Sequence, residues 1–264
     1  MHGKAPVIFA ALEALGLAFR QTPAGLDTDR FGTFTRDVAR AGDQMEAARA
    51  KAQTALDLWP WARIAIASEG AFGPHPALPL VPGGHEVVLL RDRDGRELIG
   101  TDRTFDTNFA HEEVCSLEEA RRFADACGFP AHGVVLMTPG GTQPLAKDIS
   151  SWGDFALAAA EAIARHGAVW LETDMRAHRN PRRMASIGRA AEDAARRWAA
   201  RCPRCNHPGW VPQLGPGRPC GWCGAPTQSA WRQLHQCLGC GHAEESVLEP
   251  DRRADPASCE QCNP

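Results

Sequence analysis

Apolar residues recur at helical spacing in several stretches of this chain and cluster in short runs between them. Residues 5–19 place Val7, Ile8, Ala11, Leu12, Leu15 and Leu17 on one face, which predicts an amphipathic helix. Residues 43–58 do the same with Met45, Ala48, Ala52 and Leu56. Ser116-Leu-Glu-Glu119 is a capping-box pattern that opens a helix to about Ala126. An Ala-rich helix is expected over 151–165. Another is expected from Pro181 to about Ala200, with Met184, Ile187, Ala191, Ala194 and Trp198 inward and Arg182, Arg183, Arg189, Arg196 and Arg197 on the other face. The short apolar runs at 63–68, 86–91, 133–137 and 168–172 read as strands. Asp94-Gly95 marks a turn, after which 97–100 makes an antiparallel partner for 86–91. The segments 25–32, 72–84 and 139–141 are rich in turn formers and read as loops.

Helices alternating with strands predict an α/β fold: a three-layer domain with a mixed sheet over residues 1–200, followed by a small zinc-ribbon module over 201–264. A length of 264 residues with 44% hydrophobic residues is enough for a medium domain and a small one. The apolar stretch from Pro6 to Phe19 is interrupted by Glu13, and no stretch reaches the roughly 18 apolar residues needed to cross a membrane. A soluble, cytoplasmic protein without a membrane partner is expected. The net charge of −3 gives no basic excess of the kind that nucleic-acid binders carry.

The cysteines change the picture most. Eight of the ten form four Cys-x-x-Cys knuckles: Cys202/Cys205, Cys220/Cys223, Cys237/Cys240 and Cys259/Cys262. Two thiolates at that spacing chelate one ion, and four complete a closed tetrahedral zinc site. Eight cysteines therefore predict two structural Zn2+ ions and a reducing compartment. A small or turn-forming residue follows each knuckle. Sequential pairing of the knuckles is slightly favoured. The alternative is nested, with 220/223 joined to 237/240 across a ribbon strand within 227–236. Residues 202–264 carry five Arg, no Lys and six acids. Each Zn(Cys)4 centre adds negative charge, so nucleic acid is disfavoured and a protein partner is the recognition role left open. Cys115 and Cys127 stand apart, and Cys127 reads as a buried small hydrophobe.

Three polar clusters lie in the first 200 residues. His2-Gly3-Lys4 precedes a helix and suits an anion. Glu46 and Lys51 on a helix, with Glu69 at a strand end, offer carboxylates that together suit Mg2+. Asp174, Arg176, His178, Arg179 and Asn180 crowd one short segment after a strand, which suits a planar or anionic ligand.

The strings ASEGAFGPHP at 67–76, ETDMRAHRNPRRM at 172–184 and the final CNP resemble an uncharacterised bacterial family with a C-terminal zinc ribbon. A second resemblance is distant and rests on the order of motifs over residues 1–200. His2-Gly3-Lys4, then Glu46-Ala-Ala-Arg-Ala-Lys51-Ala52, Ser68-Glu69-Gly70 and Ala177-His178-Arg179 are similar in order to the motifs of nucleotide pyrophosphatases of the inosine-triphosphatase superfamily. The opening strand and the Phe-Gly-Tyr-Asp-Pro segment of those enzymes have no counterpart. The resemblance implies a Mg2+-dependent hydrolase that releases pyrophosphate from nucleotides. Glu46 and Glu69 would hold the ion, with Lys51 as a further catalytic residue. His2, Lys4, Asp174, Arg176, His178 and Arg179 would bind the nucleotide or another phosphorylated small molecule. The other reading is a non-catalytic adaptor that binds a nucleotide or a protein.

Overall fold

A computed structural model describes residues 3–22, 43–75 and 78–264. The expected loop at 25–32 and the ligand candidate His2 lie outside the described residues. The chain divides into two compact units, 1–195 and 196–264.

In the first unit α1 (Ala5–Leu12) is shorter than the expected 5–19 helix. A 3-10 turn over Glu13–Leu15 follows it and ends at Gly16, whose φ of 67° turns the chain out of the helix. Next come α2 (Gln44–Leu58), β1 (Ile64–His75), β2 (Leu78–Asp92) and β3 (Glu97–Thr104). These three strands form one antiparallel sheet in the order β1-β2-β3, so β1 and β3 are its edges. The segment 72–84, expected as a loop, instead prolongs β1 and β2 into a paired arm, with Gly73 opposite Gly83 and Pro74 opposite Pro82. Two opposed prolines fit an antiparallel ladder at a pair where neither N–H is used.

Period-two alternation sorts the sheet into two faces. Ala65, Ala67, Val87 and Leu89 pack with Ala48, Ala52 and Leu56 of α2. The opposite face meets α5 (Pro181–Ala199) at Gly100, where any Cβ would lie 2.2 Å from the Ala190 carbonyl oxygen. The Asp193 carboxylate accepts the Thr101 N–H at 3.0 Å, and Ser186 donates to Asp102 at 2.6 Å. Helix, sheet and helix thus form three layers here.

A second antiparallel sheet has the order β4-β7-β5-β6, from β4 (His111–Val114), β5 (Val134–Met137), β6 (Pro144–Ala146) and β7 (Val169–Thr173). α3 (Leu117–Cys127) and α4 (Trp152–His166) close one core with it around Val114, Phe123, Leu136, Phe155 and Leu171. Ser116 and Ser151 cap the two helices with their hydroxyls. Cys127 belongs to this core, and burial pushes its thiol up to about 11. Antiparallel pairing, expected only around 86–100, runs through both sheets.

The second unit has one antiparallel sheet, β10-β9-β8, from β8 (Gln213–Pro216), β9 (Ala230–Gln236) and β10 (Ala243–Val247). Among the described residues no helix is long and apolar enough to cross a membrane.

Candidate functional sites: two thiolate tetrads and a basic cleft

The knuckles pair neither sequentially nor as a nest. Cys202, Cys205, Cys237 and Cys240 form one tetrad, and Cys220, Cys223, Cys259 and Cys262 the other. The register explains this interleaving. Gln213, following the first knuckle, sits opposite Leu234, just before the third knuckle. Pro216, just before the second knuckle, sits opposite Ala230 at the other end of β9. β10 carries the chain back to that same end, and a parallel bridge from Ala254 to Cys220 delivers the fourth knuckle. Antiparallel strands therefore sort alternate knuckles to opposite ends of one small sheet. Buried Arg218 ties the crossing together: it donates to the carbonyls of Ala230, Leu248, Glu249 and Arg252 at 2.9–3.2 Å.

All ten cysteines are free thiols. Within each tetrad every sulfur lies within 4.8 Å of the others, with pairs at 3.4, 3.7, 3.8 and 3.9 Å. A tetrahedral ion with Zn–S of about 2.3 Å sets the sulfurs about 3.8 Å apart, so the tetrads have the right size. The knuckle turns repeat. Asn206, Gly224, Gly241 and Asn263 each donate N–H to the carbonyl of their knuckle's first cysteine at 2.8–3.0 Å. Asn206, Gly224 and Gly241 do so at φ of 59–74°, which is why Asn or Gly follows the knuckle. Trp222 and Gly239 aim N–H groups at the sulfurs of Cys220 and Cys237. The Cys223 and Trp222 N–H groups bring the Cys220 thiol down to about 7. Burial opposes the Cys237 thiolate, but N–H groups of Cys240 and Gly239 and the Cys205 thiol outweigh it, leaving about 6. Two tetrads of this kind can hold two zinc ions as closed sites with no open coordination position.

In the first unit the three polar clusters resolve differently. Glu46 is exposed and completes the capping box of α2: its carboxylate accepts the Asp43 N–H at 2.8 Å, and the Asp43 carboxylate accepts the Glu46 N–H. Glu69 is buried and paired with the Lys51 ammonium. The expected convergence of Glu46 with Glu69 on Mg2+ is thus not what these side chains do. Among the described residues, the only groups arranged to hold a metal are the two cysteine tetrads.

Asp174, Arg176 and Arg179, expected to face a ligand, form a brace. Asp174 is buried and takes the Arg176 guanidinium, which also reaches Asp148 at 2.7 Å. Arg176 holds the Asp148 carboxyl below the usual carboxylate range. Arg179 donates to the Ile149 carbonyl. Asn180 caps α5 by accepting the Arg183 N–H at 3.1 Å. His178 stays exposed, its ring 4.0 Å from Asp148.

What the fold does bring together is Lys4, Lys51 and Glu69, and it adds two residues not anticipated. Glu86 and Arg183, both buried, pair at 2.6 Å between β2 and α5. Arg183 also donates to the Met175 carbonyl and lies 5.2 Å over the Phe72 ring. Gly70 makes room for the pair, since a Cβ there would lie 2.4 Å from the Glu86 carboxylate. The sequence pattern places Arg183 with the arginines of the polar face of α5. Its spacing to Ile187, Ala190 and Ala194 puts it on the buried face instead. Lys4 donates to the Ser68 carbonyl at 3.3 Å, on the edge strand β1, where both ion pairs act on it. Burial, then the Arg183 charge, bring its amine down to about 8.

A cavity of about 630 Å3 runs along this edge of β1, within the range of ligand sites. Its walls come from α1, the segment 17–22, α2 and residues 61–68. Lys4, Arg20, Lys51 and Arg63 line it, together with Trp59 and Trp61, and none of the described lining residues is acidic. The two indoles stack at 5.2 Å, and Arg20 lies 5.5 Å over Trp61.

Fold and sites define an α/β protein with a basic cleft and an interleaved pair of thiolate tetrads able to hold metal. A family model described as a domain of unknown function, DUF6671, matches residues 51–264, and the chain belongs to that family. No curated protein and no solved structure matches the chain.

Proposed function

We propose that the first unit is a binding module for a phosphorylated aromatic small molecule of nucleotide type, and that the second unit carries two structural zinc ions. The observation behind this reading is the lining of the cleft. Four basic side chains and two tryptophans share it, with no acidic residue among the described lining residues. Arginine and lysine suit phosphate oxygens, and indoles offer stacking surface to a base. The cleft also follows an edge strand, whose backbone N–H and C=O groups can read the edge of a base.

Binding is favoured over hydrolysis because Glu46 and Glu69 are engaged with Asp43 and Lys51. Titration calorimetry of the zinc-loaded chain with ATP, GTP and ITP, with and without Mg2+, tests the reading. Saturable binding is expected, weakened by about 1–3 kcal/mol in Arg63→Ala. No binding across the panel would overturn it. Pyrophosphate released in the same samples, dependent on Mg2+, would restore the hydrolase reading.

A further inference from the structure

The two tetrads are built on one strand. The first joins a knuckle ahead of β8 to one that follows β9. The second joins a knuckle between β8 and β9 to one that follows β10. β9 is common to both, and each of its ends is fixed beside a different tetrad. Near Cys237, Trp210 stacks with His235 and His242 at 5.3 and 5.2 Å, and a Cβ on Gly239 would lie 2.7 Å from the His207 ring. Near Cys220, Arg218 donates to the Ala230 carbonyl at 2.9 Å and to those of Leu248 and Arg252 beyond β10. The Leu248 N–H returns to the Trp231 carbonyl at 2.8 Å. The register that sets Gln213 opposite Leu234, and so brings the first knuckle to the third, also sets Pro216 opposite Ala230. It thereby carries Arg218 and Cys220 to the place where Ala254 arrives. Ordering one tetrad therefore orders most of the other. Sequential pairing would have given two sites that close separately.

We propose that the two tetrads load with zinc as a cooperative pair, which makes the second unit a zinc-responsive switch. It is either empty and unfolded or doubly loaded and folded, with little of the singly loaded form between. The inference rests on the reading of both tetrads as zinc sites. The buried hydrophobic residues of the unit are Cys202, Cys220, Cys237, Cys259 and Ala254, so neither end has an apolar core to order it without metal. The cost of ordering β8, β9 and β10 falls on the first binding event. The second event finds four sulfurs already gathered, all within 4.8 Å of one another. A site binds more tightly when the chain is already in the conformation that assembles it, and the two sites favour the same conformation. Arg218 is the positioning residue of this link. It is buried, and its hydrogen bonds go to the backbone on both sides of the crossing and to Glu249, none to a sulfur.

The test uses the reduced full chain, stripped of metal and titrated with zinc. Native mass spectrometry counts the chains that carry no ion, one ion and two. At a mean of about one zinc per chain, coupling of about twentyfold or more leaves under about a fifth of the chains singly loaded, which is the expected result. Equal independent sites would leave about half singly loaded, and sites of very different affinity nearly all of them. Either distribution would overturn the proposal. A chain that takes up no zinc would remove the zinc reading itself, so the two failures are distinguishable. The measurement is made on the wild-type chain and depends on no variant. Cys205→Ser and Cys223→Ser then each cripple one tetrad. Competition with a chromophoric chelator should show the intact tetrad binding at least about fourfold more weakly than the wild-type average. Wild-type affinity at the intact tetrad in both variants would overturn the coupling. Arg218→Met leaves all eight cysteines in place and should raise the singly loaded fraction toward half. General destabilisation would instead weaken both steps and leave the singly loaded fraction as low as in wild type, which would remove Arg218 from the link.

Discussion

The two units of this chain are held together by different means. The first buries large apolar side chains, Phe155, Leu136, Leu171 and Met137 among them, under helices whose caps are written locally in the sequence. In the second, the buried hydrophobic residues are four of the cysteines and Ala254. A segment of that size without an apolar core lacks the burial needed to offset chain entropy. What stands in for a core is the pair of thiolate tetrads, which can hold two zinc ions, with Arg218 satisfying four carbonyls where the chain crosses itself. One unit should therefore respond to apolar and charge substitutions, the other to loss of metal.

The largest effect expected follows directly. Structural zinc contributes on the order of 10 kcal/mol to small cysteine modules. A strong chelator, or Cys205→Ser, should unfold the second unit and leave the first intact. Trp210, stacked on His235 and His242, reports the loss by near-UV circular dichroism. Limited proteolysis should then release fragments from the C-terminal unit only. Metal analysis should give about two zinc ions per chain. A chelated protein with unchanged spectrum and protease pattern would erase the contrast between the units.

The next effect belongs to the first unit. Arg183→Met leaves Glu86 buried and uncompensated, which costs about 3–5 kcal/mol. The double variant Arg183→Met/Glu86→Leu should recover much of that loss, because the cost lies in the unpaired charge. Urea unfolding of the single and double variants measures both. Single variants within about 0.5 kcal/mol of wild type would mean that the pair is hydrated.

How much of this could be read from the sequence depends on how local each feature is. The cysteine knuckles, the helix cap at Ser116 and the buried face of α2 are written within a few residues, and they are legible. The knuckle partners are not, because the β8–β9 register decides them and nothing in the spacing encodes it. The arm of β1 and β2 was hidden by its prolines and glycines, which usually mark loops. Arg183 was misplaced because an arginine amid arginines reads as solvated. Its partner Glu86 opens the strand EVVLL, where a charge ahead of four apolar residues was a usable signal.

A smaller effect is expected in the segment after β7. Arg176→Ala removes the partner of buried Asp174 and should lower stability by about 1–3 kcal/mol. Ligand affinity should stay unchanged, since Arg176 does not line the cleft. The reverse pattern, with stability kept and affinity lost, would move the binding site to this segment.

The smallest effect sharpens the comparison between two carboxylates that the sequence made look equivalent. Glu46 and Glu69 both flank Lys51 in the pyrophosphatase-like order, yet one is exposed on the first turn of α2 and the other buried in β1. Glu46 sits at the third helical position, where a carboxylate can fold back onto the N-cap N–H, and Asp43 supplies the reciprocal half of the box. The pattern Asp43-x-x-Glu46 was therefore open to a capping reading from the start. Removing one hydrogen bond of an exposed capping box costs about 0.5–1 kcal/mol, so Glu46→Ala should lower stability by that amount. It should leave ligand affinity unchanged, because Glu46 neither lines the cleft nor touches Lys51. Glu69→Gln should cost more, because it strips Lys51 of its carboxylate. Measuring both variants by urea unfolding and by calorimetry with ATP and Mg2+ decides between a cap and a metal ligand. Loss of Mg2+-dependent binding in Glu46→Ala, at unchanged stability, would return this carboxylate to a metal site.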